Sequence, residues 1–262
     1  MGLTLTPMVR NILLSTILIY FLQQLLIWIT PVFSLYSFLS PLFYPFQLVT
    51  YIFLHDTRGL MHIFSNMFGL VMFGPMLERV WGPGRFLMFY LITGIGAGLI
   101  HNGINYYEVI QMQDMVNEFL VNPTASNLTN YLKHHNLSLN NPEFLEHFDK
   151  NPNNQELIQR SRQLVNDSID NYLKIPTVGA SGAIFGVMAA FALLFPNTEL
   201  LFLFFPFPIK AKYFVLLYGL IEYYSGIQRN PGDNVAHFAH LGGMLVGFIL
   251  VKLWGTNRQQ FY

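Results

Sequence analysis

The sequence predicts an all-α integral membrane protein built as a bundle of six transmembrane helices, and three observations carry that prediction. Apolar residues make up 53% of the 262-residue chain, while only 11% are Asp, Glu, Lys or Arg. The apolar residues gather into runs divided by breaks rich in proline, glycine and charge. The few charges are segregated, so the net charge of zero is compatible with a membrane protein. The chain has no cysteine, which excludes a disulfide framework, thiol chemistry and cysteine-based metal sites.

Span one is expected from about Asn11 to Ile29, with Thr30-Pro31 breaking it. That run lacks a small-x-small cleavage site and is long enough to cross, so no cleavable signal peptide is expected. The stretch from Phe33 to His55 contains Pro41 and Pro45 among aromatics, which suits an amphipathic structure lying in the membrane interface. Span two starts near His62 and ends at Leu77, where Glu78-Arg79 and the turn Trp81-Gly82-Pro83-Gly84-Arg85 follow. Span three runs from Phe86 to about Ile100. Its GIGAG string follows no strand, so close helix packing is the expected use of these glycines rather than nucleotide binding.

Residues 102–176 change character: polar, asparagine-rich, with nine acidic and five basic side chains. They are read as an extracytoplasmic insertion within a membrane domain spanning residues 1–262. An amphipathic helix is expected over Glu156–Leu173, with Asn153 and Glu156 as a capping box. His134, His135 and His147 lack companion acidic ligands and read as solvated surface. Span four is Ser181 to Phe195, about fifteen or sixteen residues rising roughly 24 Å against a hydrocarbon core of roughly 30 Å. Its serine end must therefore stop inside the membrane level, where irregular backbone is tolerated only beside a polar cavity. The PNTELLFLFFPFPIKAK stretch reads as a loop, span five covers about Tyr213 to Tyr224, and span six covers Val235 to Leu253.

Basic residues Arg10, Arg79, Arg85, Lys210, Lys212, Lys252 and Arg258 fall on one side of this topology, against Glu78 and Glu199. That side is expected to be cytoplasmic, with both termini on it. Spans two, four and six then run in parallel, and His62, Ser181 and His240 lie near their outer ends. Serine needs a base to become a nucleophile, and an imidazole at the same depth supplies one. His240 is the expected base of a Ser181–His240 dyad, and His237, one turn earlier, is the rival. His62, Asn66 and the Ser181 backbone N–H are placed to stabilise an oxyanion. Gly182 and Gly186 on span four, with Gly243 and Gly247 on span six, let two helices approach closely enough for the serine and the imidazole to meet. No carboxylate lies near His240 on its own helix, and Asp233 falls in the preceding loop, so no third member is apparent.

The strings HIFSN at 62–66, GASG at 179–182 and AHLGGMLVG at 239–247 resemble the signatures of the rhomboid intramembrane serine proteases. FQLVTYIFLHDTRGLMHIFSNM is similar to that family's first loop and second helix. The resemblance implies a bacterial-type six-span core, Ser181 as nucleophile, His240 as base, and His62 and Asn66 as oxyanion or water-retaining groups. It implies substrates that are membrane-spanning segments, cut near the outer face after entering past span five and the loop at 225–234. It requires no cofactor or metal. Phe185 stands where some members stack a tyrosine under the histidine, and Phe46-Gln47 where many carry a tryptophan before a polar residue. A bacterial cell (inner) membrane is the expected location.

Other readings are weaker on the residues. A soluble hydrolase elbow would need glycine at Ala183 and a preceding sheet. A transporter would show two related halves. A proteolytically inactive rhomboid-like binder or chaperone is the alternative, but such proteins usually lack the serine or the histidine. The helix of the insertion either caps the cavity and selects substrates by their external segment or packs outside the span-one to span-three edge, and substrate selection or gating is the favoured expectation.

Overall fold

The computed structural model describes residues 4–135, 137, 143–202, 205–228, 233 and 235–254; Arg258, counted above among the basic residues, lies outside them. The chain is predominantly α-helical: α1 Pro7–Leu25, α2 Ile29–Phe33, α3 Gln47–Thr50, α4 Met61–Trp81, α5 Pro83–Val121, α6 Ala125–His134, α7 Glu143–Lys150, α8 Gln155–Leu173, α9 Ser181–Leu194, α10 Ala211–Gln228 and α11 His237–Leu253. Among these, α1 and α5 are long and apolar enough to cross a membrane, and α9 and α11 are shorter apolar helices.

Helix α9 is the centre. Every residue from Gly182 to Phe191 is buried, as an all-round apolar helix requires of its surroundings. Contacts give the directions of its neighbours. Gly69 meets Ile184, and Phe73 stacks edge-on with Phe191, so α4 runs parallel to α9. Gly182 and Gly186 face Gly243 and Gly247, so α11 is parallel too. Ala97 meets Gly182, and Thr93 meets Gly186, so α5 is antiparallel. Gly74 against Val9, with the Tyr20 hydroxyl bonded to the Gly59 carbonyl at 3.4 Å, makes α1 antiparallel to α4. Gly219 against Met244 and Gly226 against His237 make α10 antiparallel to α11. The six helices α1, α4, α5, α9, α10 and α11 thus alternate in direction.

One end of this bundle is tied together by charged and aromatic groups. Buried Glu78 accepts the backbone N–H groups of Met8 and Val9, both at 2.8 Å, and the Thr6 hydroxyl, so a carboxylate from α4 caps the positive N-terminus of α1. Arg79 donates to the Thr4 hydroxyl at 2.7 Å, and Arg85 lies 4.4 Å over the Trp254 ring.

Four local readings differ from the sequence expectations. The first helix is Pro7–Leu25 rather than 11–29, because Pro7 suits a first helical turn and the Glu78 cap fixes the start there. The third does not stop near Ile100 but continues to Val121, since the polar residues beyond it sustain a helix. The cap of α8 is Asn154, whose Oδ1 accepts the N–H of Glu156 and Leu157, in place of the Asn153 box. The 196–212 loop contains an antiparallel hairpin, β1 Glu199–Phe202 and β2 Phe205–Lys210, pairing Glu199 with Lys210. Its prolines are tolerated because each strand of a two-stranded ribbon keeps a free edge.

The described residues of the 102–176 region are mainly helical and have a core of their own. Met112, Val116 and Phe119 of α5 pack with Leu128, Tyr131 and Leu132 of α6, Phe144 and Phe148 of α7, and Ile158 and Val165 of α8. The Tyr131 and Ser168 hydroxyls bond one another, and the Tyr172 hydroxyl donates to Glu108 at 2.5 Å. In segment 34–55, residues 34–46 are turns and irregular chain, and only 47–53 are helical, α3 continuing into a 3-10 turn at Tyr51–Phe53. Buried Gln47 holds it, donating to the carbonyls of Val32 at 3.1 Å and Leu42 at 2.9 Å and accepting the Tyr44 N–H.

Candidate active site

The loop before α9 is strapped to segment 34–55. Leu35 and Thr177 exchange backbone hydrogen bonds of 3.0 and 2.8 Å, and the Gly179 N–H donates to the Tyr51 carbonyl at 3.0 Å. Gly179 has a φ of +130°, a conformation that side-chain-bearing residues rarely adopt, and this turns the chain so that Ser181 is the first residue of α9. A Cβ at Gly179 would also sit 2.8 Å from His62 Nε2. Glycine is therefore required there by backbone and by space.

Ser181 Oγ lies 2.7 Å from Nε2 of His240, in the first turn of α11. The glycine faces make this approach possible: a Cβ on Gly243 would be driven into the Gly182 carbonyl, and one on Gly247 would sit 2.7 Å from the Gly186 oxygen. Phe185, one turn along α9, stacks beneath the imidazole with ring centroids 4.2 Å apart and planes within 6°. Tyr218 of α10 lies behind that ring at 5.1 Å.

The sequence reading found no third group, and here the structure adds one. Glu222 of α10, 6% exposed, places Oε2 2.8 Å from His240 Nδ1 and 2.7 Å from His237 Nδ1. His237 turns its other nitrogen to Asp233 Oδ2 at 3.0 Å, so both of its ring nitrogens are engaged by carboxylates. The bond to His237 holds the Asp233 carboxyl below the usual range. Glu222, His237 and His240 form a cluster of metal-binding residue types. Separations of 2.7 and 2.8 Å are hydrogen-bond lengths, whereas ligands spread tetrahedrally around zinc lie about 3.3 Å apart.

His62, at the start of α4, approaches the serine loop from the other side. Its Nδ1 accepts the backbone N–H of Asp56 at 3.2 Å, so in the neutral ring the proton is on Nε2, the nitrogen beside Gly179. Arg58 holds Asp56 through hydrogen bonds of 2.8 to 3.1 Å and keeps its carboxyl below the usual range. Asn66 is buried and donates one amide N–H to the His62 carbonyl at 2.7 Å. The structure thus gathers Ser181, His240, Phe185 and His62 around one loop, with Asn66 one turn behind His62. His134, His135 and His147 belong to the α6–α8 region.

A family model described as a rhomboid domain matches residues 43–111 and 157–256. Over 91 residues the chain is 38% identical to an uncharacterized mitochondrial rhomboid protein of Schizosaccharomyces pombe, covering 32% of this chain and 22% of that protein. It is 36% identical over 74 residues to the mitochondrial Rhomboid protein 1 of Saccharomyces cerevisiae, covering 28% and 21%. With the mitochondrial RHOMBOID-like protein 12 of Arabidopsis thaliana it shares 26% identity over 215 residues, 81% of this chain and 46% of that one. The chain spans less than half the length of each of these relatives.

Proposed function

Since the chain belongs to the rhomboid family, we propose that it is an intramembrane serine endopeptidase that cuts peptide bonds in or next to transmembrane segments of other membrane proteins. The observation that carries this reading is the 2.7 Å contact between Ser181 Oγ and His240 Nε2, on an imidazole stacked against Phe185. In the reaction His240 takes the Ser181 proton as Oγ attacks the scissile carbonyl. The developing oxyanion is met by His62 Nε2–H, the Ser181 backbone N–H and the Asn66 amide, and one such donor is worth about 3 kcal/mol. His240 then gives its proton to the leaving amine, and water repeats the sequence on the acyl-enzyme.

In this reading the six alternating helices cross the membrane. Positive charge at the shared end of α1, α4 and α11 makes that end cytoplasmic, as expected in a bacterial cell membrane, and the site opens to the extracytoplasmic face. Fourteen residues of α9 rise only about 21 Å, which leaves Ser181 below the outer headgroups.

Ser181→Ala and His240→Ala protein, reconstituted in liposomes with a transmembrane reporter, are each expected to lose at least about 10⁴-fold in cleavage while keeping the wild-type melting temperature. Wild-type cleavage by either folded variant overturns the proposal.

A further inference from the structure

Glu222 is out of keeping with its helix. Helix α10 exposes Leu216, Leu217, Leu220, Ile221, Tyr223 and Tyr224, while its buried residues are Ala211, Val215, Gly226 and this one carboxylate. An ionised group in an apolar bundle costs several kcal/mol unless it is paired and hydrogen-bonded. Glu222 is paired twice through a single oxygen, to His240 and to His237.

The hydrogen-bonding possibilities assign the protons. A carboxylate only accepts, so Nδ1 of His240 must donate to it. The neutral His240 ring then has its lone pair on Nε2, the nitrogen that faces Ser181 Oγ. The opposite tautomer would set a proton against the serine hydroxyl and leave a lone pair against the carboxylate. With both carboxyls ionised, His237 donates to one from each nitrogen and so carries a positive charge on the far side of Glu222.

We propose that Glu222 is a positioning residue for His240, completing a Ser181–His240–Glu222 triad backed by His237 and Asp233. Resting on the protease reading above, the assignment gives the carboxylate two tasks. It selects the His240 tautomer that can act as base, and it stabilises the imidazolium formed when the Oγ proton moves to Nε2 and the Oγ–carbonyl carbon bond forms. Glu222 stays ionised throughout and takes no proton. Sequence offers no hint of this role, because Glu222 lies eighteen residues before His240 on a different helix.

The test compares wild type, Ser181→Ala, Glu222→Gln and Glu222→Asp in liposomes with a transmembrane reporter peptide, reading kcat, KM, melting temperature and the pH profile. The other titratable groups around His240 are Ser181 of α9, His62 of α4, His101 of α5, Tyr218 of α10, and His237 with Asp233. Glu222→Gln is nearly isosteric and can still accept from Nδ1, so packing is preserved while the charge is lost. It is expected to lose about 10²- to 10³-fold in kcat with KM within about twofold. The acid limb of its profile moves down by about one pH unit, because an imidazolium without its anion gives up its proton more readily. Glu222→Asp, which keeps the charge, holds the limb at its wild-type position and retains more kcat than the Gln variant.

A folded Glu222→Gln protein with kcat within threefold of wild type, or with an unmoved acid limb, overturns the proposal. Should Glu222→Gln fail to fold, ¹⁵N NMR of the His240 ring in the wild-type protein decides: an Nδ1–H tautomer near neutral pH supports the triad and an Nε2–H tautomer overturns it. If wild type does not cleave, or Ser181→Ala cleaves equally well, the protease reading fails instead, and the NMR tautomer still judges the Glu222 contact independently.

Discussion

Adding one methyl group between α9 and α11 tests whether their closeness makes the serine reactive. In Gly247→Ala the new Cβ would sit 2.7 Å from the Gly186 oxygen, 0.7 Å short of the 3.4 Å at which ordinary contact begins. The obstructing atom is backbone, so no rotamer relieves it and the helices must part. If they part as rigid bodies, the Ser181–His240 separation grows from 2.7 Å by the same 0.7 Å, to the outer limit of a useful hydrogen bond. Gly243→Ala demands a larger parting and lies only three residues from His240, so the hydrogen bond breaks. The expected losses in kcat are about 10-fold for Gly247→Ala and at least about 10²-fold for Gly243→Ala, the order of effect known for misplacements of about 1 Å. Cleavage of a transmembrane reporter and the rate of Ser181 labelling by a fluorophosphonate measure both, with melting temperature as the folding check. Folded Gly243→Ala protein that labels and cleaves at the wild-type rate would refute the reasoning.

Further outcomes follow from other parts of the site. His62→Ala and Asn66→Ala should each lower kcat about 10²-fold with little change in KM; an unchanged rate in the double variant removes them from oxyanion stabilisation. Burial pushes the His55 imidazole down to about 3 from 6.5, so below pH 6.5 the unfolded chain takes a proton that the folded one refuses, and stability falls with pH. The loss is about 2 kcal/mol by pH 5, read as a melting temperature that drops between pH 7.5 and 5. His55→Phe should flatten that slope, and an equally steep slope in the variant excludes His55 as its source. Replacing residues 106–173 by a short Gly/Ser linker should keep cleavage of a generic helix-destabilised transmembrane peptide and alter the preference among full-length substrates. Loss of the generic cleavage with the fold intact would make this region part of the catalytic architecture.

The sequence revealed what local pattern encodes and missed what only folding brings together. Gly182, Gly186, Gly243 and Gly247 could be paired from their spacing alone, because a four-residue period marks one helix face, and the structure presses those faces together. Glu222 gave no such sign. Its neighbours Ile221, Tyr223 and Tyr224 read as the end of a span at the headgroups, and nothing local points the carboxylate inward. The length of α5 was hidden for another reason: hydropathy marks where a helix leaves an apolar medium, not where its hydrogen bonding stops. The hairpin was hidden by Pro206 and Pro208, which argue against an interior strand and not against a ribbon with two free edges.

Helix α5 is unbroken from Pro83 to Val121, a rod of about 58 Å, nearly twice the thickness of the hydrocarbon core. Asn102 sits midway along it, buried, its Oδ1 accepting the Phe38 N–H at 3.0 Å, which ties the rod to segment 34–55 at that height. Below this tie, Thr93 and Ala97 press against Gly186 and Gly182; above it, the rod carries the packed helices α6 to α8. The stretch beyond Asn102 is about 29 Å long. One unbroken backbone therefore both packs against the helix that carries Ser181 and supplies a wall of the α6–α8 core.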